Sequence, residues 1–284
     1  MKIGIIGGSG LYQIEGLEIK EERQVATPFG KPSDSYLIGE LEGKEIVFLP
    51  RHGRGHKLLP SEINYRANIF GFKLLGVERI ISVAAVGSLK EGIHPLDVVI
   101  PDQFFDRTKR RIDTFFGNGI AAHIGIADPV CPQLFEFLYQ SAVACGATVH
   151  KGGTYVNIEG PSFSTRSESK FYRSLGFDVI GMTNLTEAKL CREAEICYAT
   201  LAMVTDYDVW KEEDVDIQMV VRNLQKNAEM AKRIITEVIK RLPEERKCPC
   251  ANALKDAIIT SPDLIPQELK EKLKPLLGKY LKSD

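Results

Sequence analysis

The chain has 284 residues, 44% of them hydrophobic and 26% charged, with a formal net charge of −1. This composition supports a packed core, and it contains no basic block that would track a nucleic-acid backbone. No stretch approaches about 18 uninterrupted apolar residues, so no membrane span is expected, and the protein is read as cytoplasmic.

In chain order, Lys2-Ile3-Gly4-Ile5-Ile6-Gly7 reads as a strand rather than a signal peptide, and it ends in Gly7-Gly8-Ser9-Gly10. Tyr36–Ile38 and Glu45–Leu49 flank Glu42-Gly43-Lys44, a hairpin signal. Pro50-Arg51-His52-Gly53-Arg54-Gly55-His56 is too rich in glycine and charge for a regular element. The apolar spacing from Asn64 to Leu75 predicts a helix stopped by Gly76. Buried strands are expected at Ile80–Ala85 and Val98–Ile100, and residues 102–120 read as irregular and aromatic. A helix over Leu134–Cys145 and a strand over Val149–Ile158 follow. Thr165, with Glu168 three residues on, forms a capping box for a helix through Ser174. A short strand at Asp178–Gly181, a helix at Glu187–Ala194 and a buried strand at Tyr198–Val204 lead to a long amphipathic helix, Val215–Leu242. The strand–helix alternation predicts an α/β domain with a largely parallel or mixed sheet. Beyond Pro243 the chain turns to short Lys-rich helical pieces, so residues 1–242 read as the main domain and 243–284 as a helical extension packed on it.

The cysteines lie at 131, 145, 191, 197, 248 and 250. None forms a C-x-x-C pair and no histidines show H-x-x-x-H spacing, so the spacing argues against a zinc site and no metal is expected. Cys248-Pro249-Cys250 reads either as reduced thiols near the tail or as part of a disulfide network.

Chemistry concentrates at strand ends. After the Tyr198–Val204 strand come Asp206 and Asp208, which in an extended segment face the same side. A crowded carboxyl pair can keep one proton, so that one member donates while the other accepts; the plain alternative is a solvated loop capping the next helix. The glycine turn at residues 7–10 fails the dinucleotide fingerprint G-x-G-x-x-G, leaving backbone N–H groups and the Ser9 hydroxyl as an oxyanion cradle or a simple tight turn. Arg51 can grip phosphate with two parallel bonds and His52 adds a donor, although such a pair taken alone is more often a surface ion pair. Ala84-Ala85-Val86-Gly87-Ser88 offers a third strand end where tiny side chains admit a ligand to the backbone.

Taken in order, GIIGGSGLY, FLPRHGRGH, NYRAN, AAVGSL, DQFFDRT, IEGPSFSTRSES, GMTNLTEA and TDYDVWKE resemble the trimeric purine nucleoside phosphorylase and methylthioadenosine phosphorylase family, from about residue 2 to 240. The resemblance implies a single α/β domain around a central mixed, barrel-like β-sheet flanked by helices. It implies phosphorolysis of 5′-methylthioadenosine to adenine and 5-methylthioribose 1-phosphate, with inorganic phosphate as co-substrate and no other cofactor. Phosphate would be held by Ser9, Arg51, His52, the Ala84–Ala85 backbone and Thr183. Met182 would meet the ribose and Phe163 the purine; Asp206 would donate to N7 and Asp208 accept from the 6-amino group. Ile217, Val220 and Val221 would wall the 5′ side, joined by His123 from a neighbouring subunit. Asp206 and His52 carry the expected catalysis.

The family likeness also implies a homo-oligomer, a trimer or a dimer of trimers, whose partners are a small nucleoside and phosphate. The chain departs from the expected pattern at Ser162, where arginine is common, and at Thr186, where proline is usual. The rival readings are a purine nucleoside or methylthioinosine phosphorylase, against which Asp208 argues, and a nucleosidase that uses water.

Overall fold

Ile3, Ile5 and Ile6 leave no polar face on β1 (Lys2–Gly7), and the strand is buried at the centre of the sheet. The computed structural model describes residues 1–8, 11, 14–211 and 217–281, and residues 217–220 by their backbone only. β1 pairs in parallel with β4 (Lys44–Pro50) on one side and β5 (Arg79–Ser88) on the other. Beyond β4 lie β3 (Tyr36–Leu41) and β2 (Glu18–Arg23), both antiparallel. The β3–β4 hairpin turns on Glu42 and Gly43, both at positive φ (51° and 71°), as a two-residue turn of matching twist requires.

β5 is long and the sheet forks along it. Its first half borders β1; its last two residues pair antiparallel with β10 (Val179–Gly181), which continues to β9 (Thr154–Ile158) and β7 (Gln103–Arg107). Its other edge carries β11 (Cys197–Tyr207), then β6 (Val98–Ile100) and β8 (Val149–Lys151). The result is a mixed, strongly branched sheet flanked by helices; the two arms end at β7 and β8, and the barrel-like expectation is corrected to a sheet that does not close. No helix among the described residues is long and apolar enough to cross a membrane.

The helices are α1 (Tyr65–Leu74), α2 (Pro132–Ala144), α3 (Arg166–Ser174), α4 (Asn184–Glu193) and α5 (Ile217–Arg241), with short α6 (Gln267–Lys272) and α7 (Lys274–Leu277) in the tail. Asn64 caps α1, and Thr165 with Glu168 forms the expected reciprocal box on α3. The tail is no loose appendage, since Leu254, Ile265, Leu273, Leu276 and Leu277 are buried in the apolar cluster that holds Phe70 and Phe72 of α1.

Two local expectations change, and one strand is new. The strand expected over 149–158 is two strands, because Gly152 and Gly153 both take positive φ and turn the chain, with the Asp102 and Asp178 carboxylates receiving the freed N–H groups of Gly153 and Thr154. Residues 103–107, read as irregular, form edge strand β7, whose mostly exposed side chains carry no buried pattern to detect. β2 escapes notice for the same reason: EIKEER is exposed throughout, and charge on an edge strand blocks further pairing.

Gly181, at the end of β10, packs against Tyr155 so closely that an added Cβ would stand 1.9 Å from its hydroxyl. Gly181→Ala should therefore destabilise the protein by about 1–3 kcal/mol through overpacking. Denaturant unfolding checks this, and Tyr155→Phe in the same chain should recover part of the loss.

Candidate active site

β5, β10 and β11 end around one cavity of about 1080 Å³, lined on another side by α5 from Val221 to Lys232. The fork in the sheet creates it. β1 leaves β5 at Ser82 and β10 joins only at Gly87, so on that edge the backbone of residues 83–86 has no strand beside it. Val83, Ala84, Ala85 and Val86 line the cavity there.

One end of the cavity is cationic and rich in N–H donors. Arg51 follows β4 and is buried, with its Nε and Nη2 paired to the Glu187 carboxylate, Nη2 also on the Ser82 hydroxyl (2.6 Å) and Nη1 on the Val83 carbonyl (2.9 Å). Burial works against its charge, but Glu187 more than offsets this and holds the guanidinium protonated. A hydrogen-bonded network braces the pair: the Ser82 and Tyr198 hydroxyls donate to Glu187 Oε2 at 2.8 and 2.9 Å, and the Asn184 amide donates to Ser82, Tyr198 and Thr200. The bidentate face expected to meet an anion is thus turned to Glu187. A single Nη1 N–H remains for a ligand. Beside it, Thr183 stands at the start of α4 with its hydroxyl making no cap bond, where the helix N-terminus favours negative charge.

His52 stacks on His56 at 4.2 Å between ring centroids and gives Nδ1–H to the Leu58 carbonyl at 2.8 Å. Burial, and then the Arg51 charge, push its pKa down to about 4. The neutral ring therefore offers Nε2 as an acceptor, a correction to the donor role expected of it. Because an unfolded histidine titrates near 6.5, the unfolded chain binds the extra proton first, and stability falls as pH drops from about 6.5 to about 4. In His52→Phe this part of the pH dependence should vanish, read as the wild-type-minus-variant difference in unfolding free energy across that window.

The two aspartates line the same cavity. β11 runs on past Val204 through Asp206 with a register shift around Thr205, so Asp206 projects from a strand and Asp208 from the turn just after it. Asn223 and Asn227, one helical turn apart on α5, donate to the carbonyls of Thr205 and Val204 at 2.8 Å and pin the strand end. The Ser88 carbonyl receives both the Asp208 N–H (2.9 Å) and the Trp210 indole N–H (2.8 Å), which fixes the turn. Burial and then the Asp208 charge raise the Asp206 pKa, against the Thr205 hydroxyl that donates to it. Burial also raises that of Asp208. The Ser169 hydroxyl and the Val209 N–H act against that rise, but Asp208 Oδ2 itself is buried with no group at hydrogen-bonding geometry, an arrangement costing about 1–3 kcal/mol unless a ligand completes it.

Arg51, His52, Ala84, Ala85, Phe163, Met182, Thr183, Asp206, Asp208 and Val221 all line this cavity. Phe163 is 78% exposed at its mouth. Ser9 lies outside the described residues, as do the side chains of Ile217 and Val220. His123 is exposed, gives its backbone N–H to Ala257 and does not line its own chain's cavity. Sequence reasoning missed Glu187, Asn184, Asn223, Asn227 and Leu224. The one available signal was the Asn223/Asn227 spacing, which puts two amides on one helical face just after the aspartates.

A buried guanidinium, a helix start and a pair of carboxyls thus line one cavity. The chain matches the phosphorylase superfamily over residues 2–240 and belongs to it. The S-methyl-5′-thioadenosine phosphorylase of Geobacter sulfurreducens is 58% identical over 98% of this chain and 99% of its own. A methylthioadenosine phosphorylase sourced from an antarctic soil metagenomic library superposes with a TM-score of 0.94 at 48% identity, covering 97% of this chain and 98% of its own. The methylthioadenosine phosphorylase of Schistosoma mansoni, solved with adenine, gives 0.84 at 38% identity over 90% and 96%.

Proposed function

We propose that this protein phosphorolyses 5′-methylthioadenosine to adenine and 5-methylthioribose 1-phosphate. The observation that carries this reading is the buried, unpartnered Asp208 Oδ2 beside a carboxyl, Asp206, that burial disposes to hold a proton. Such a pair complements the 6-amino donor and N7 acceptor of adenine; a 6-oxo group would face Asp208 with a second acceptor. Similarity to methylthioadenosine phosphorylases over almost the whole chain supports the same substrate.

In the proposed reaction, phosphate sits between Arg51 Nη1, the Thr183 hydroxyl at the start of α4, the open backbone edge at Ala84–Ala85, and Ser9. His52 Nε2 accepts the proton of a phosphate hydroxyl and so orients the anion. Met182 lies along the ribose and Phe163 covers the purine. The C1′–N9 bond breaks with its electron pair passing to the purine, while Asp206 gives its proton to N7. A phosphate oxygen then bonds C1′, drawn by the positive charge that develops on the ribose. Placement and preorganised charge supply most of the acceleration, and the chemistry asks for no cofactor beyond phosphate. Val221 and Leu224 present apolar surface from α5 to the 5′ end. His123 is read as reaching that end from a neighbouring subunit of a trimer or dimer of trimers, and the cytoplasm as the setting that provides free phosphate.

Asp208→Asn tests the base assignment. The wild type should favour methylthioadenosine over methylthioinosine by at least about tenfold in kcat/KM. The variant, whose amide can donate to a 6-oxo group, should bring the ratio near parity. An unchanged ratio would remove Asp208 from base recognition.

A further inference from the structure

Four thiols that are distant in the chain converge behind the sheet, away from the cavity. Cys131 caps the start of α2, Cys197 opens β11, and Cys248 and Cys250 flank Pro249 at a 3₁₀ turn (Pro249–Asn252) in the tail. Their sulfurs all lie within 4.8 Å of one another, with Cys197 and Cys248 at 3.3 Å. Cys131, Cys197 and Cys250 are buried and Cys248 is partly exposed. We propose that these four cysteines form a structural tetrathiolate site for a soft divalent cation, zinc in the first instance, which fastens the C-terminal segment to the core.

The geometry fits that ion. With Zn–S bonds of about 2.3 Å, tetrahedral thiolates stand about 3.8 Å apart, within the spread seen here. The Leu134 N–H at the start of α2 donates to the Cys131 sulfur, an outer-shell bond of the kind that orients a ligand around a metal. A zinc ion with four thiolates keeps a net double negative charge, and a cation stands beside it. Arg79 is buried, in register with Cys197 on the adjacent strand, and donates to the carbonyls of Glu244 and Glu245 and to the Met1 sulfur, with no carboxylate among its hydrogen-bond partners in the described residues. A buried guanidinium without a counter-charge is costly; an anionic metal cluster would supply one. Each thiol releases its proton to solvent as the ion binds, and partly exposed Cys248 gives the entry path.

The test starts from the full-length protein, reduced and stripped of metal, and adds zinc alone. One zinc per chain should survive gel filtration, and the melting temperature should rise with it. Cobalt in place of zinc should show intense thiolate-to-metal charge transfer and tetrahedral ligand-field bands. Cys248→Ser/Cys250→Ser should retain no zinc and lose the zinc-dependent rise in melting temperature, with phosphorolysis unchanged, while Cys145→Ser should behave as wild type. Uptake below a tenth of an equivalent by wild type would overturn the proposal, whether its thiols prove free or paired as disulfides. So would equal uptake by the double variant, or a cobalt spectrum without thiolate bands.

Discussion

Asp206→Asn should lower kcat by about 10²- to 10⁴-fold, the range for losing a general acid, with KM for methylthioadenosine little changed. The asparagine keeps the shape of the side chain and can still give a hydrogen bond to N7, but it cannot surrender a proton as the purine takes the bond electrons. The loss therefore falls on the chemical step. The raised Asp206 pKa gives the wild type a second signature. Activity should decline as pH climbs through that pKa and the carboxyl loses its proton, and this limb should be absent from the variant. A rise in KM with kcat preserved would instead assign Asp206 to ground-state binding.

The second large effect is on stability. Glu187→Ala would leave Arg51 buried and unpaired, and should cost about 3–5 kcal/mol of unfolding free energy. Both side chains are under 5% exposed, so water cannot take the place of the lost carboxylate. Glu187→Gln, which keeps one acceptor, should cost less. The double variant Arg51→Met/Glu187→Leu should regain much of the stability of the wild type yet have almost no phosphorolytic activity. Urea unfolding and phosphate KM, measured on the same preparations, separate the two consequences. A single-variant loss under about 1 kcal/mol would place the pair among weak, solvent-screened bridges.

What is legible in the sequence depends on reach along the chain. Asp206 and Asp208 were legible because an apolar strand and an alternating pair of carboxyls are local signals, and the Thr165–Glu168 box was legible for the same reason. Glu187 was not: within NLTEA it is an ordinary helical glutamate, and its partner lies 136 positions away. Without that partner in view, Arg51 looked free to grip an anion with two bonds, and His52 looked like a donor because its bond to Leu58 was invisible. The cysteine cluster is the extreme case. Spacing rules look for close pairs, whereas these thiols are brought together by the start of α2, the start of β11 and a turn beyond α5. Edge strands β2 and β7 were hidden by exposure, since a strand with no buried face has no alternation to read.

The most direct test is release of free adenine from 5′-methylthioadenosine, with and without inorganic phosphate, with the sugar product identified. Adenine should appear only with phosphate, matched by an equal amount of 5-methylthioribose 1-phosphate. Release without phosphate, giving free methylthioribose, would contradict the phosphorylase account and mark a nucleosidase; no release under either condition would contradict the substrate.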